Sequence, residues 1–582
     1  MKTNVAILLL ALLLILRCDF LLAQQEPFTA SSKLNMVASV HPLATDAGIA
    51  AFDKGGNAVD AAIATAITLG VVDSFNSGIG GGCFILIRTA DGNITAIDGR
   101  EMAPAAATRD MYLRDGKADG TQSTIGPLAS ATPGALAAYA RAIQEHGRLK
   151  LNDLIEPAAE IAARGFRISQ VHEKKIKSVA QHLDRFEATK SVLMKADGSL
   201  YQTGDLLKQA ELANTYYAIG KHGLDWFYKG PFAKRTAAWM KQHGGILTAA
   251  DFADYKTFLR QPIRTNYREF EIIGFPPPSS GGIHVAQILN ILESFDLAAM
   301  HSKDPNQLKH VVAEAMKLAF ADRAHWLGDS DFVKVPLGLI DKSYALELAR
   351  KIDTQKTTLV KSHGTPPEKD TKFFGKHTTH LCAADKKGNW VSITTTINTE
   401  FGSKVIVPGL GVVMNNQMDD FSIAPGTPNV FGLVGGENNS IAPGKRPLSS
   451  MSPTIVLKNG QPILAVGAAG GPKIITQVVW AIINHLDLKM PIGQALAASR
   501  IHHQWSPDRL RVEDTMPQGT IGYLKSRGHT IESSDVMGIS QAISFSPQTG
   551  RFVGVHDPRT PGKASGQNAP AAKLKNASQR NK

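Results

Sequence analysis

A polar stretch from Lys351 to Lys376, rich in Lys, Thr and Pro and without apolar periodicity, splits the chain into two parts of opposite character. Before it, helix-period segments dominate: Leu43 to Phe52, Ala58 to Leu69, one opened by Gly134-Ala135-Leu136, Val285 to Phe295 and Lys309 to Trp326. A hairpin of Cys83 to Arg88 and Ile94 to Asp98, turned on Asp91-Gly92-Asn93, and a stiff loop from Pro276 to Gly282 interrupt them. After it, His380 to Ala384, Trp390 to Asn398 and Val405 to Met414 read as strands. Thr454 to Lys458 and Pro462 to Gly467 flank Asn459-Gly460, a strong hairpin signal, and Ile474 to Leu488 returns to helix. Helices and strands in such large blocks bury their apolar faces by stacking in α and β layers. The 582 residues suit two domains or one large layered domain. The connector itself is expected to be exposed and mobile.

The net charge of +12 is dispersed, and part of it sits in the low-complexity tail with Lys563, Lys573, Lys575, Arg580 and Lys582. No basic helix with interleaved aromatics accompanies it, so nucleic acid is not an expected partner; a solvated surface suited to small acidic substrates is. Residues from about 563 to 582 are expected to be disordered. Lys2 followed by the apolar run Val5 to Leu16 reads as an export signal within residues 1–25, too short for a comfortable membrane span. Leu21 and Ala23 make a poor cleavage site, which leaves an uncleaved membrane anchor as the alternative to a periplasmic or secreted product. Beyond the signal only Cys83 and Cys382 remain, too few for a disulfide framework or a zinc cluster. The neighbours His502 and His503 diverge on any regular element and read as structural. No metal or organic cofactor is expected.

The residues that carry chemistry cluster around the point where the connector ends. His377-Thr378-Thr379-His380 alone says little beyond β-propensity. Its company says more: Thr394-Thr395-Thr396-Ile397-Asn398, Asn415 to Phe421, Pro447 to Pro453 and Gly470-Gly471 downstream. Upstream stand Val40 to Thr45, Gly55 to Ala62, Gly78 to Phe84, Arg100 to Pro104 and Thr132-Pro133-Gly134. In order and approximate spacing these segments resemble the γ-glutamyltranspeptidase (glutathione hydrolase) family, from about residue 36 to about 558.

The resemblance implies an α+β fold, the four-layer αββα sandwich of N-terminal-nucleophile hydrolases, made as a precursor that cuts itself between His377 and Thr378. A large chain (26–377, carrying the connector 351–377) and a small chain (378–582) then form a heterodimer. Thr378 would carry a nucleophilic hydroxyl beside its own α-amine, a base poised near neutral pH. By resemblance Thr396 positions that amine, and Gly470 and Gly471, at a strand-to-helix turn, offer backbone N–H groups to an oxyanion. Arg100, assisted by Ser449 and Ser450, anchors the α-carboxylate of a γ-glutamyl group, while Asp420, Asn398 and Gln417 receive its ammonium. Pro425 to Gly436 resembles a lid in which Phe431 replaces a frequent Tyr and loses its hydroxyl bond. The implied activity is γ-glutamyl hydrolysis or transfer from glutathione and related amides to water, amino acids or peptides. A glutaryl-cephalosporin acylase on the same scaffold and a non-catalytic binding homologue are the alternatives.

Overall fold

The computed structural model describes residues 26–368 and 379–569. The export signal, His377 and Thr378 lie outside the described residues. Among the described residues no helix is long and apolar enough to cross a membrane.

Fourteen strands form two seven-stranded antiparallel sheets. In chain order they are β1 (Thr29–Ser32), β2 (Asn35–Ser39), β3 (Gly82–Arg88), β4 (Ile94–Gly99), β5 (Phe258–Arg260), β6 (Ile263–Tyr267) and β7 (Phe270–Gly274). Downstream follow β8 (Thr379–Asp385), β9 (Trp390–Thr396), β10 (Thr454–Lys458), β11 (Gln461–Ala469), β12 (Ile539–Ser546), β13 (Arg551–His556) and β14 (Lys563–Ser565). One sheet runs β14-β2-β8-β9-β3-β4-β5 and the other β1-β13-β12-β11-β10-β7-β6. Both therefore interleave strands from the two sides of the connector, and β8 and β9, the first strands after it, occupy the middle of theirs.

The period-two pattern of these strands explains the layering. On β3 the side chains of Phe84 and Leu86 enter a core between the sheets with Cys382, Trp390, Ile455, Ala465, Ile543 and Phe552. Cys83, Ile85 and Ile87 point the other way, toward helices α1 (Pro42–Asp53), α2 (Ala58–Val72) and α3 (Ala135–His146). Every residue of α2 is buried, as its Ala-rich sequence allows close packing between the sheet and other helices. On the outer face of the second sheet lie α4 (Ser280–Leu292), α5 (Pro305–Trp326) and α6 (Lys473–Ile482), joined to it by a third apolar core. The order helix, sheet, sheet, helix is the expected αββα sandwich.

Three expectations need correction. Val405 to Met414 is not a strand: only the bridge Ile406↔Val413 forms, because Pro408 has no N–H and Gly409 and Gly411 take positive φ of 77° and 67°. The tail is ordered past 563, since β14 pairs with Val37–Ser39 and the Lys563 carbonyl accepts from Thr45 Oγ1 at 2.9 Å. Over 351–368 the connector is irregular but pinned rather than free. The buried Glu314 and Lys317 of α5 need partners, and Thr357 and Thr358 supply them: Thr358 N donates to Glu314 Oε2 (2.8 Å) and Lys317 Nζ to Thr358 O (2.9 Å).

One close approach fixes the Thr396 end of β9. A Cβ on Gly81 would stand 1.8 Å from the Thr396 carbonyl oxygen and 2.9 Å from Ile397 Cγ2. Gly81→Ala should destabilise the fold by about 1–3 kcal/mol through overpacking and displace Thr396. Gly120→Ala, with open space around its Cβ, should change stability by less than about 0.5 kcal/mol. Thermal denaturation of the two variants checks this.

Candidate active site

Thr379, the first described residue after the connector, opens β8 opposite Thr395 of β9. Its Oγ1 donates to Asp73 Oδ2 at 3.0 Å, and Asn76 Nδ2 donates to the other carboxylate oxygen at 3.0 Å. Asp73 follows the last turn of α2. Its complete burial pushes the carboxyl up from its ordinary value to about 7, against the lowering effect of the Thr379 and Asn76 bonds. Asp73 thus ties the helix layer to the start of the strand, a role the sequence did not reveal.

Thr396 ends β9 and is fully buried, and its Oγ1 accepts from the Asn398 N–H at 2.7 Å. Asn398 takes φ +80°, a conformation Asn tolerates, and its Nδ2 donates to the Asn416 carbonyl at 3.0 Å. That geometry leaves Asn398 Oδ1 buried without a hydrogen-bond partner among the described residues. Thr396 and Asn398, separated in sequence by one residue, are thereby locked to each other and to the Asn415–Asp420 segment. Asn415 fixes that segment in turn: its Nδ2 donates to the Gly80 and Ala131 carbonyls, and its Oδ1 accepts from Gln417 N.

The electrostatic centre is a buried fork. Arg100, immediately after β4, has no solvent exposure. Its Nη2 donates to Asp420 Oδ2 at 2.8 Å and its Nη1 to Glu101 Oε2 at 2.9 Å, while Gln417 Nε2 also donates to Asp420 Oδ2 at 2.7 Å. Arg100 thus forms its ion pairs in the interior, not at the surface. Burial, opposed by Arg100, pushes the Glu101 carboxyl up to about 7. Among the described residues, Glu101 Oε1 and Gln417 Oε1 are buried without hydrogen-bond partners.

Ser449 and Ser450 lie between β10 and the segment carrying Arg100's third partner, the Pro447 carbonyl (3.4 Å). The Pro276–Gly282 loop holds them: Ser449 N donates to Pro278 O at 2.7 Å and Ser280 N to Ser449 O at 2.8 Å. Gly470 and Gly471 join β11 to α6 with φ of +128° and +60°, values that side chains other than glycine rarely adopt. The ring of Phe431 covers Gly471, where an added Cβ would meet its Cδ1 at 3.0 Å. The segment around Phe431 is held by Val430 N to Asp419 Oδ2 (3.2 Å) and Gln504 Nε2 to Gly432 O (2.8 Å).

Two tempting alternatives fall away. Cys382 is buried against the opposite sheet and its thiol is pushed well up, so it is no thiolate nucleophile. His502 and His503 point to different partners, Thr476 with Gln504 and Asp508 respectively. Of the residues expected to act, Arg100, Gln417 and Asp420 are brought into contact, Thr396 and Asn398 into a second cluster, and Phe431 onto Gly471.

Removing the fork's cation leaves two carboxylates facing each other in the interior. Arg100→Met should therefore cost about 3–5 kcal/mol of stability, and adding Asp420→Asn should recover part of it; urea unfolding of the single and double variants measures both. Asp73 makes a pH prediction. Its folded-state pKa is raised, so its contribution is complete below about pH 4 and is lost as pH rises through about 7. Asp73→Asn should flatten the fall in unfolding free energy across that window.

Residues 44–567 match the Gamma-glutamyltranspeptidase family. The chain is 43% identical to the glutathione hydrolase proenzyme of Escherichia coli (strain K12), over 91% of each chain. It is 38% identical to the acylase ACY 1 proenzyme of Pseudomonas sp. (strain SE83), over 90% of this chain and 92% of that one. The crystal structure of cephalosporin acylase from Bacillus halodurans superposes with a TM-score of 0.82 at 30% identity, covering 94% of this chain and 99% of the other. Match, coverage and the αββα architecture agree: this chain belongs to the γ-glutamyltranspeptidase family of N-terminal-nucleophile hydrolases.

Proposed function

We propose that this enzyme of the glutathione hydrolase class acts through Thr378 once the His377–Thr378 bond is broken, and that Arg100, Asn398, Gln417, Asp420, Ser449 and Ser450 hold the γ-glutamyl head group. The observation that carries the reading is the buried fork of Arg100 between Glu101 and Asp420, flanked by unsatisfied Gln417 and Asn398 oxygens. A γ-glutamyl group brings one carboxylate and one ammonium. The fork offers both charge signs, and the spare acceptors match the N–H donors of an ammonium.

Processing needs only the chain itself and water. The Thr378 hydroxyl attacks the His377 carbonyl, the C–N bond breaks as the acyl group moves to oxygen, and water hydrolyses the ester. The products are a His377 carboxylate and a free Thr378 amine. In turnover that amine takes the hydroxyl proton as Oγ attacks the γ-carbonyl, and passes it to the departing amine. Gly470 and Gly471 donate backbone N–H groups to the transient oxyanion, a contribution worth about 3 kcal/mol of barrier per donor. Water or an acceptor amine then releases the acyl group. Large chain 26–377 and small chain 378–582 stay associated because their strands interleave in both sheets. Export of the enzyme, directed by residues 1–25, fits the apolar run from Val5 to Leu16.

The acylase relative makes the glutaryl alternative concrete. A glutaryl group has the carboxylate but no ammonium, so it would leave Asp420, Gln417 and Asn398 with nothing to bind. We expect a γ-glutamyl anilide to be turned over at least about 100-fold faster, as kcat/KM, than the glutaryl anilide, since a buried site punishes an analogue that leaves its polar groups unpaired. Comparable rates would favour the acylase reading. Thr378→Ala should accumulate as one uncut chain without activity, visible on a denaturing gel; normal cutting in that variant would refute the nucleophile assignment.

A further inference from the structure

Arg323 lies in the last turn of α5 and is only 3% exposed. Among the described residues, no carboxylate comes within salt-bridge distance of it. Of the other deeply buried arginines, three face carboxylates and the fourth is held by carbonyls. Arg100 has Glu101 and Asp420, Arg446 has Asp98, Arg500 has Asp557, and Arg88 is wrapped by the carbonyls of Thr89, Gly388 and Gly460. Arg323 instead touches two hydroxyls: its Nε donates to Ser280 Oγ at 3.0 Å and its Nη2 to Ser450 Oγ at 3.4 Å. Neutral hydroxyls do not balance a guanidinium taken out of water.

Those two hydroxyls belong to the serine shelf of the site. Ser280 opens α4, and both its N–H and its Oγ donate to the Ser449 carbonyl. A serine that accepts from a guanidinium keeps its single proton to give elsewhere. Ser280 gives its proton to the Ser449 carbonyl, and the Ser450 hydroxyl is held from behind by the Arg323 guanidinium. Burial lowers the Arg323 pKa to about 10, with Asp420 raising it, so the group is charged at neutral pH and faces the same acid as Arg100. Arg100 already faces two acids, so the positive charge of Arg323, set behind Ser450, is the second cation that offsets them.

We propose that Arg323 is a positioning residue for the donor's α-carboxylate, supplying charge and orienting Ser450 and Ser280 from behind while Arg100 is shared with Glu101 and Asp420. The proposal rests on the γ-glutamyl reading above and assigns part of the head-group recognition to a residue that reaches substrate only through its serines. Arg100 alone would be a sufficient anchor if Arg323 were merely structural.

The test compares processed wild type, Arg323→Lys and Arg323→Gln on two chromogenic donors: γ-glutamyl-4-nitroanilide and 4-aminobutanoyl-4-nitroanilide, which keeps the ammonium and lacks the α-carboxylate. Arg323→Gln should raise KM for the γ-glutamyl donor about 10-fold or more, the scale of a lost charged contact. It should leave kcat for that donor within about 3-fold, and kcat/KM for the carboxylate-free donor nearly unchanged. Arg323→Lys, which keeps the charge and loses the fork, should fall between the two. If Arg323→Gln fails to fold or to be cut, the lysine variant decides by the same donor comparison. An equal loss on both donors, or a fall in kcat at constant KM, overturns the role of Arg323 while leaving the enzyme's assignment intact. A wild type inactive on the γ-glutamyl donor overturns the functional reading itself.

Discussion

Arg100 and Asp420 are 320 residues apart in sequence and 2.8 Å apart in the fold, on opposite sides of the connector. A fully buried guanidinium is tolerable only where anions meet it, so the position of β4, from which Arg100 emerges, and that of the Asn415–Asp420 segment are mutually fixed. The rest of the site is hung from that joint. Gln417 bonds Asp420, Asn415 ties the segment to Gly80 and Ala131, and Asn416 ties it to Asn398. The fork is therefore a structural closure, and in the function proposed above the same charges that hold the two parts of the chain together receive the head group of the substrate.

The surroundings of the fork are closely packed. Gly81 passes under Thr396 with no room for a methyl group, and Gly467 lies beneath the His380 ring, which an added Cβ would approach to 2.4 Å. Side chains here have little freedom to relax, so polar groups without partners are held in place rather than turned toward water. Asp73 on one face of β8 and the inter-sheet core on the other leave the beginning of that strand, next to Thr378, with a defined direction.

Much of this was legible in the sequence, for identifiable reasons. Local turn chemistry placed the Asn459-Gly460 and Asp91-Gly92 hairpins correctly, because a positive φ there is a requirement of the turn itself. Ala58 to Leu69 announced a close-packed helix through its composition. Val405 to Met414 misled because its apolar residues resemble a strand, whereas Pro408 and two glycines decide its backbone. Lys563 misled in the other direction: a basic, low-complexity stretch was read as a free tail, but β14 joins the sheet as the edge strand beside β2 through backbone groups that composition does not report.

The site divides in the same way. The family resemblance named Arg100, Asn398, Gln417 and Asp420, whereas the burial of Glu101, Asp73 and Arg323, and the contacts that Asp73 and Arg323 make far away in sequence, emerge only from the fold. A charged residue in a strand-following pair or in a helix buried on all sides is the one sequence signal that would have found Glu101 and Arg323. The central claim is that an interior threonine becomes a chain start. Intact-mass spectrometry of the purified, active protein tests it most directly. The account predicts two polypeptides, the smaller with Thr378 as its first residue; full activity from one continuous chain spanning His377 and Thr378 would contradict it.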